Sequence, residues 1–99
     1  MDERQPVVAH IRQMASDGRT ASDVLTWLTS DAGQGKGMFW NLSCMFLAFE
    51  NSLFSLRQIE RWRGFGDGGV LTDPEVDEMV GPLVIRTKPI RDEASGTWY

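Results

Sequence analysis

Residues 37–62 hold more large apolar side chain than any other stretch of this chain, and they limit what it can fold into. The run opens Gly-Met-Phe-Trp-Asn-Leu-Ser-Cys-Met-Phe-Leu-Ala-Phe. At 3.6 residues per turn, Met38, Leu42, Met45, Phe46, Phe49 and Leu53 share one broad stripe. Trp40, Cys44, Leu47 and, in a helix that continues, Phe54 share a second stripe on the opposite side. A surface helix needs one such stripe; a helix with two must be covered on two sides. Short helices flank the run in sequence, so the expected cover is internal. The alternative is a second copy of the chain, with Trp40, Leu47 and Phe54 as a dimer seam. A membrane span is excluded: the uncharged run ends at Phe49, short of the roughly 18 residues a span requires, and Glu50, Asn51 and Ser52 follow.

Local signals around this run point to further helices. Pro6 suits a first helical turn, Val7, Val8, Ile11 and Met14 keep helical spacing, and Gly18 supplies a stop. Thr20 or Ser22 caps a second helix that turns Val24, Leu25 and Leu28 inward and ends near Ser30. Three glycines between 33 and 37 make the next segment a loop. The central helix is expected over about 38–50, with a bend near 51–54. A new helix then starts on a capping box of Ser55 and Gln58, with Phe54 and Ile59 as its hydrophobic staple. After a second glycine loop, Thr72 and Glu75 form another capping box with Pro74 in the first turn, and Gly81-Pro82 ends that helix. Val76, Met79 and Val80 are expected to face inward. Residues 83–86 are β-prone but have no partner strand, so they are expected to be extended.

The expected fold is therefore all-α: four or five short helices packed round the helix at about 38–50, with an extended C-terminal segment. Residues 1–90 form one domain and 91–99 a tail. The 99 residues suffice for one core without staples. Cys44 is the only cysteine, and the first residues, Met-Asp-Glu-Arg-Gln-Pro, lack the apolar run of a signal peptide. Both features favour a reducing, cytoplasmic compartment.

No stretch carries a complete catalytic or metal motif. Gly33-Gln34-Gly35-Lys36-Gly37 resembles a phosphate loop, but Ser30 stands where the first glycine belongs and Lys36 is followed by Gly rather than Ser or Thr. Asp73, Glu75, Asp77 and Glu78 alternate like a calcium loop, but Glu78 and Val84 occupy the positions that require Gly and an acid. Cys44 and His10 are the residues a nucleophile–base pair would use, yet Cys44 sits in an apolar run where a thiol is inert packing. No cofactor and no metal are expected.

Charge is more informative. The formal net charge is −4, which argues against nucleic acid as a partner. Arg57, Arg61 and Arg63 around Trp62 form the one basic cluster, a candidate second surface. Asp67, Asp73, Glu75, Asp77 and Glu78 fall in a segment with no Lys or Arg. Projecting into solvent, they would form a footprint for a basic protein partner. The expected function is a small acidic protein-binding module without enzyme activity, of the inhibitor or immunity type. The alternatives are a structural or regulatory homo-oligomer and a small enzyme using Cys44 or His10.

Overall fold

Two threonines start two of the helices. The Thr20 and Thr72 side chains accept from the backbone N–H three residues on, and Asp23 and Glu75 accept in return from the threonine N–H groups. In the computed structural model, which describes residues 3–66, 69–92 and 96–99, these caps open the second and fifth of five α-helices. In order the helices are α1 (Arg4–Ser16), α2 (Ala21–Ser30), α3 (Met38–Ala48), α4 (Leu53–Arg57) and α5 (Asp73–Val80). Two 3₁₀ turns, Gln58–Arg61 and Arg63–Phe65, extend α4. The described residues contain isolated β-bridges but no strand, so the chain is all-α as expected. The Cα radius of gyration is 12.5 Å, against about 13 Å for a compact domain of 100 residues.

Helix α3 is covered on both sides by the chain itself. Leu42, Met45 and Phe49 of the first stripe are buried, and so are Cys44 and Leu47 of the second. Helix α1 lies along α3 and brings Val7, Val8 and Ile11 into the same core; α2, α4 and the first 3₁₀ turn complete the cover. Leu47 thus belongs to the interior of one chain rather than to a dimer seam.

The break after α3 falls where the sequence suggests, but its cap is different. Ser52, not Ser55, is the capping residue: its hydroxyl accepts from the Ser55 N–H at 3.1 Å. Phe54 therefore lies inside the first turn of α4, and it is exposed rather than stapled to Ile59.

Helix α3 ends without a glycine, so its last carbonyls need other partners. Two arginines from distant parts of the chain supply them. Arg12 donates from Nη2 to Leu47 O at 2.9 Å and from Nε to Ala48 O at 3.3 Å. Arg86 donates from Nη2 to Phe46 O at 3.0 Å and to Phe49 O at 3.2 Å. Both cations sit at the negative end of the helix dipole. Burial, and then the charge of Arg86, hold Arg12 below the usual arginine value. Residues 84–86 are extended, as expected, and they have a partner: Glu50 N–H donates to Val84 O and Arg86 N–H to Ala48 O.

Asn51 joins α4 to α5. Its amide donates to Val80 O and Pro82 O and accepts from the Val84 N–H. Eleven residues on, the buried Trp62 indole donates to Asp73 at the start of α5 at 2.7 Å. The segment from α4 to Trp62 therefore runs antiparallel beside α5. Of the expected tail, residues 91–92 and 96–99 are described, and several of them contact the rest of the chain. Ile90 and Tyr99 exchange both backbone hydrogen bonds, and Arg4 of α1 pairs with Asp92 and lies over the Tyr99 ring.

Candidate interaction surface

Helix α5 carries four of the five carboxylates expected to face a partner: Asp73, Glu75, Asp77 and Glu78. Val76 and Val80 face the core, and at 100° per residue Asp77 falls on one flank and Met79 on the other. Asp77 meets the start of α2. Its carboxylate accepts from the Ser22 N–H at 2.7 Å and from the Ser22 hydroxyl at 2.8 Å. It thus satisfies a first-turn amide of α2 that no neighbour in sequence satisfies. Asp73 accepts from the Trp62 indole, and Glu75 closes the Thr72 capping box. The Thr72 backbone N–H, then its hydroxyl, hold the Glu75 carboxyl below its ordinary value, with a smaller contribution from the charge of Arg63.

Three of the five carboxylates expected to face a partner are therefore bound within the fold. Glu78 is exposed and makes no hydrogen bond or ion pair with another described residue. Asp67 lies outside the described residues. The expectation that Asp77 simply projects into solvent is corrected: it ties two helices together. Its role was hidden in the sequence, because its partner Ser22 is 55 residues away.

The basic cluster divides in the same way. Arg57, Arg61 and Arg63 are exposed, whereas Trp62 is only 4% exposed and packs edge-on against Phe65. A Cβ on Gly64 would collide with the Trp62 ring, so the glycine there lets the loop close over the indole. Trp62 is a core residue and offers no stacking platform. Arg57 reaches Glu60 at 3.9 Å. The supposed seam residues are separated too. Trp40 is half-buried under Lys36, Leu47 is inside, and Phe54 stands on another helix.

The exposed apolar surface beside Asn51 was not legible as a unit in the sequence. Phe54 is 74% exposed and Leu53 59%, both in the first turn of α4. Met79, expected to face inward, is 43% exposed on the flank of α5 beside α4, and Val84 is 46% exposed next to the Asn51 amide. The antiparallel course of α4 and α5 brings the apolar ends of both helices together. Arg57 and Arg61 follow Phe54 in sequence; on α5 Glu75 precedes Met79, whereas Glu78 borders the cleft beside the α1–α2 turn. Among the described residues no salt bridge joins Arg57 or Arg61 to α5.

The remaining candidates lie elsewhere. Cys44 is wholly buried, and exposed His10 stacks on Trp27 at 4.0 Å between ring centroids. The glycine loop is a connector fixed by buried Asn41, whose amide donates to Gly33 O and Gly37 O; a Cβ on Gly33 would collide with that side chain. An open cleft of about 530 Å³ lies between the α1–α2 turn and the end of α5. Of its polar lining, Thr20 and Asp77 are already committed to the start of α2, leaving Arg19 and Glu78. No group of three or more His, Cys, Asp or Glu among the described residues is placed to hold a metal ion. None of the described helices is long and apolar enough to cross a membrane. No family model, curated protein or solved structure matches this chain.

Proposed function

We propose that the chain is a small non-enzymatic protein-binding module that engages its partner through the face made by α4 and α5. The observation that carries this reading is the exposure of Phe54, 74%, next to Leu53 in the first turn of α4, which Asn51 ties to the end of α5 where Met79 is exposed. Large apolar side chains grouped on a charged surface are the usual core of a protein contact, and a phenylalanine there is a candidate anchor. A basic partner of an inhibitor or immunity protein is a second reading, supported by the net charge of −4 and by the outward carboxylate of Glu78. The single cysteine supports a reducing compartment for either.

Site-specific photo-crosslinking tests the proposal. A benzophenone side chain in place of Phe54, introduced in the source cell, should form a protein adduct on irradiation; the same group at exposed Gln13 should not. Adducts at both positions or at neither remove the α4–α5 face as the binding surface.

A further inference from the structure

We propose that the cleft between the α1–α2 turn and the end of α5 binds a small zwitterion, a free α-amino acid with an aliphatic side chain. The cleft holds about 530 Å³, within the range of small-molecule sites, and its lining includes neither Phe54 nor Met79. It is therefore separate from the face assigned to a protein partner. Its two walls carry opposite charges. Arg19 stands on the α1–α2 turn and Glu78 in the last turn of α5, both exposed. Neither side chain forms a hydrogen bond or ion pair with another described residue, so the two charges border one cleft without closing it.

Glu78 is unfavourably placed for the fold itself. A carboxylate in the last turn of a helix meets the negative end of the helix dipole, and no basic residue offsets it there. Asp77 beside it is the contrasting case: its two oxygens accept from the Ser22 N–H and hydroxyl at the positive end of α2. Glu78 has no such donor, and an ammonium group in the cleft would supply one. Helix α1 also ends at this cleft, so its negative end adds to that of α5 and favours the same ammonium. A ligand with an ammonium alone would leave Arg19 without a partner, and one with a carboxylate alone would be repelled by Glu78. An α-amino acid carries both groups on one carbon and meets both walls at once. Ala15 and Leu83, one from each wall, are half-buried against the core and present apolar surface to the ligand's side chain.

Titration of L-leucine into isotope-labelled protein, followed by amide chemical shifts, gives the test. Amides of residues 18–21 and 77–81 should shift together and saturate with a Kd of about 1 mM, a modest affinity because the ligand is small and the cleft open. Leucinamide lacks the carboxylate and N-acetylleucine lacks the ammonium; each should bind at least about tenfold more weakly than leucine. Glycine, without the aliphatic group, should also bind more weakly. Arg19→Gln should weaken leucine about tenfold and leave leucinamide unchanged, whereas Glu78→Gln should weaken leucine about tenfold and leave N-acetylleucine no weaker. Both side chains are exposed, and circular dichroism verifies that each variant keeps its helices; the ligand series tests the inference on the wild type alone. No saturable shift up to about 20 mM leucine overturns it. So does equal binding of leucine and its two blocked forms, or saturation confined to residues outside the cleft.

Discussion

Helices α5 and α3 are closed in opposite ways. At its start α5 has Thr72, Glu75 and Pro74, and at its end Gly81, which takes a positive φ of 74°. All lie within the helix or next to it. Helix α3 begins after Gly37 with no side-chain cap, and it ends on carbonyls held by Arg12 and Arg86, more than 30 residues away on either side. The contrast shows how each could form. The α5 turn is specified locally, whereas the end of α3 is satisfied only once α1 and residues 84–86 have docked. The helix that dominates the sequence thus depends most on the rest of the chain.

Perturbing the two helices should expose that dependence. The largest effect is expected from Arg12→Met combined with Arg86→Met, which keeps the apolar stems and removes the donors. Denaturant unfolding should show a loss of about 3 kcal/mol or more, because hydrogen bonds from charged groups to half-buried carbonyls disappear together. A loss within experimental error would mean that water replaces both arginines without cost. Asp77→Ala comes next, at about 1–2 kcal/mol, since it leaves the Ser22 amide without its acceptor. Thr72→Ala should cost about 1 kcal/mol by removing a local cap.

Glu75 adds a pH dependence to the α5 cap. Its folded carboxyl lies below the ordinary value of 4.5, so its contribution is fully present above that value and is lost as pH falls through the lowered one. Comparing the acid limb of wild type with that of Glu75→Gln measures it: the variant should lose less stability between neutral pH and pH 3. The smallest effect is Glu78→Gln, within about 0.5 kcal/mol, because the exposed side chain has no hydrogen-bond or ion-pair partner among the described residues.

The same division between local and distant contacts governed what could be read from the sequence. Periodicity placed α3 with an end two residues too late, and it identified the core residues Leu42, Met45 and Phe49. Thr20 and Thr72 were legible as caps, because a capping box spans only four residues. Ser52 was missed, since Ser55 with Gln58 matched the same pattern three residues on. The partners of Asp77, Arg12 and Arg86 left no local trace. For the candidate surface, the sequence signalled charge but not exposure. Met79 looked internal because it is spaced three from Val76; the course of α4 leaves it at the edge. Phe54 looked like a staple or a seam, and the cap at Ser52 turned it outward.

Amide hydrogen exchange tests the central claim most directly, because it reads the two helices separately in one experiment. In Arg12→Met with Arg86→Met, protection over the last turn of α3, residues 45–49, is expected to fall further below wild type than protection over α5. Equal losses in the two helices, or an α3 end that exchanges as it does in wild type, would contradict it.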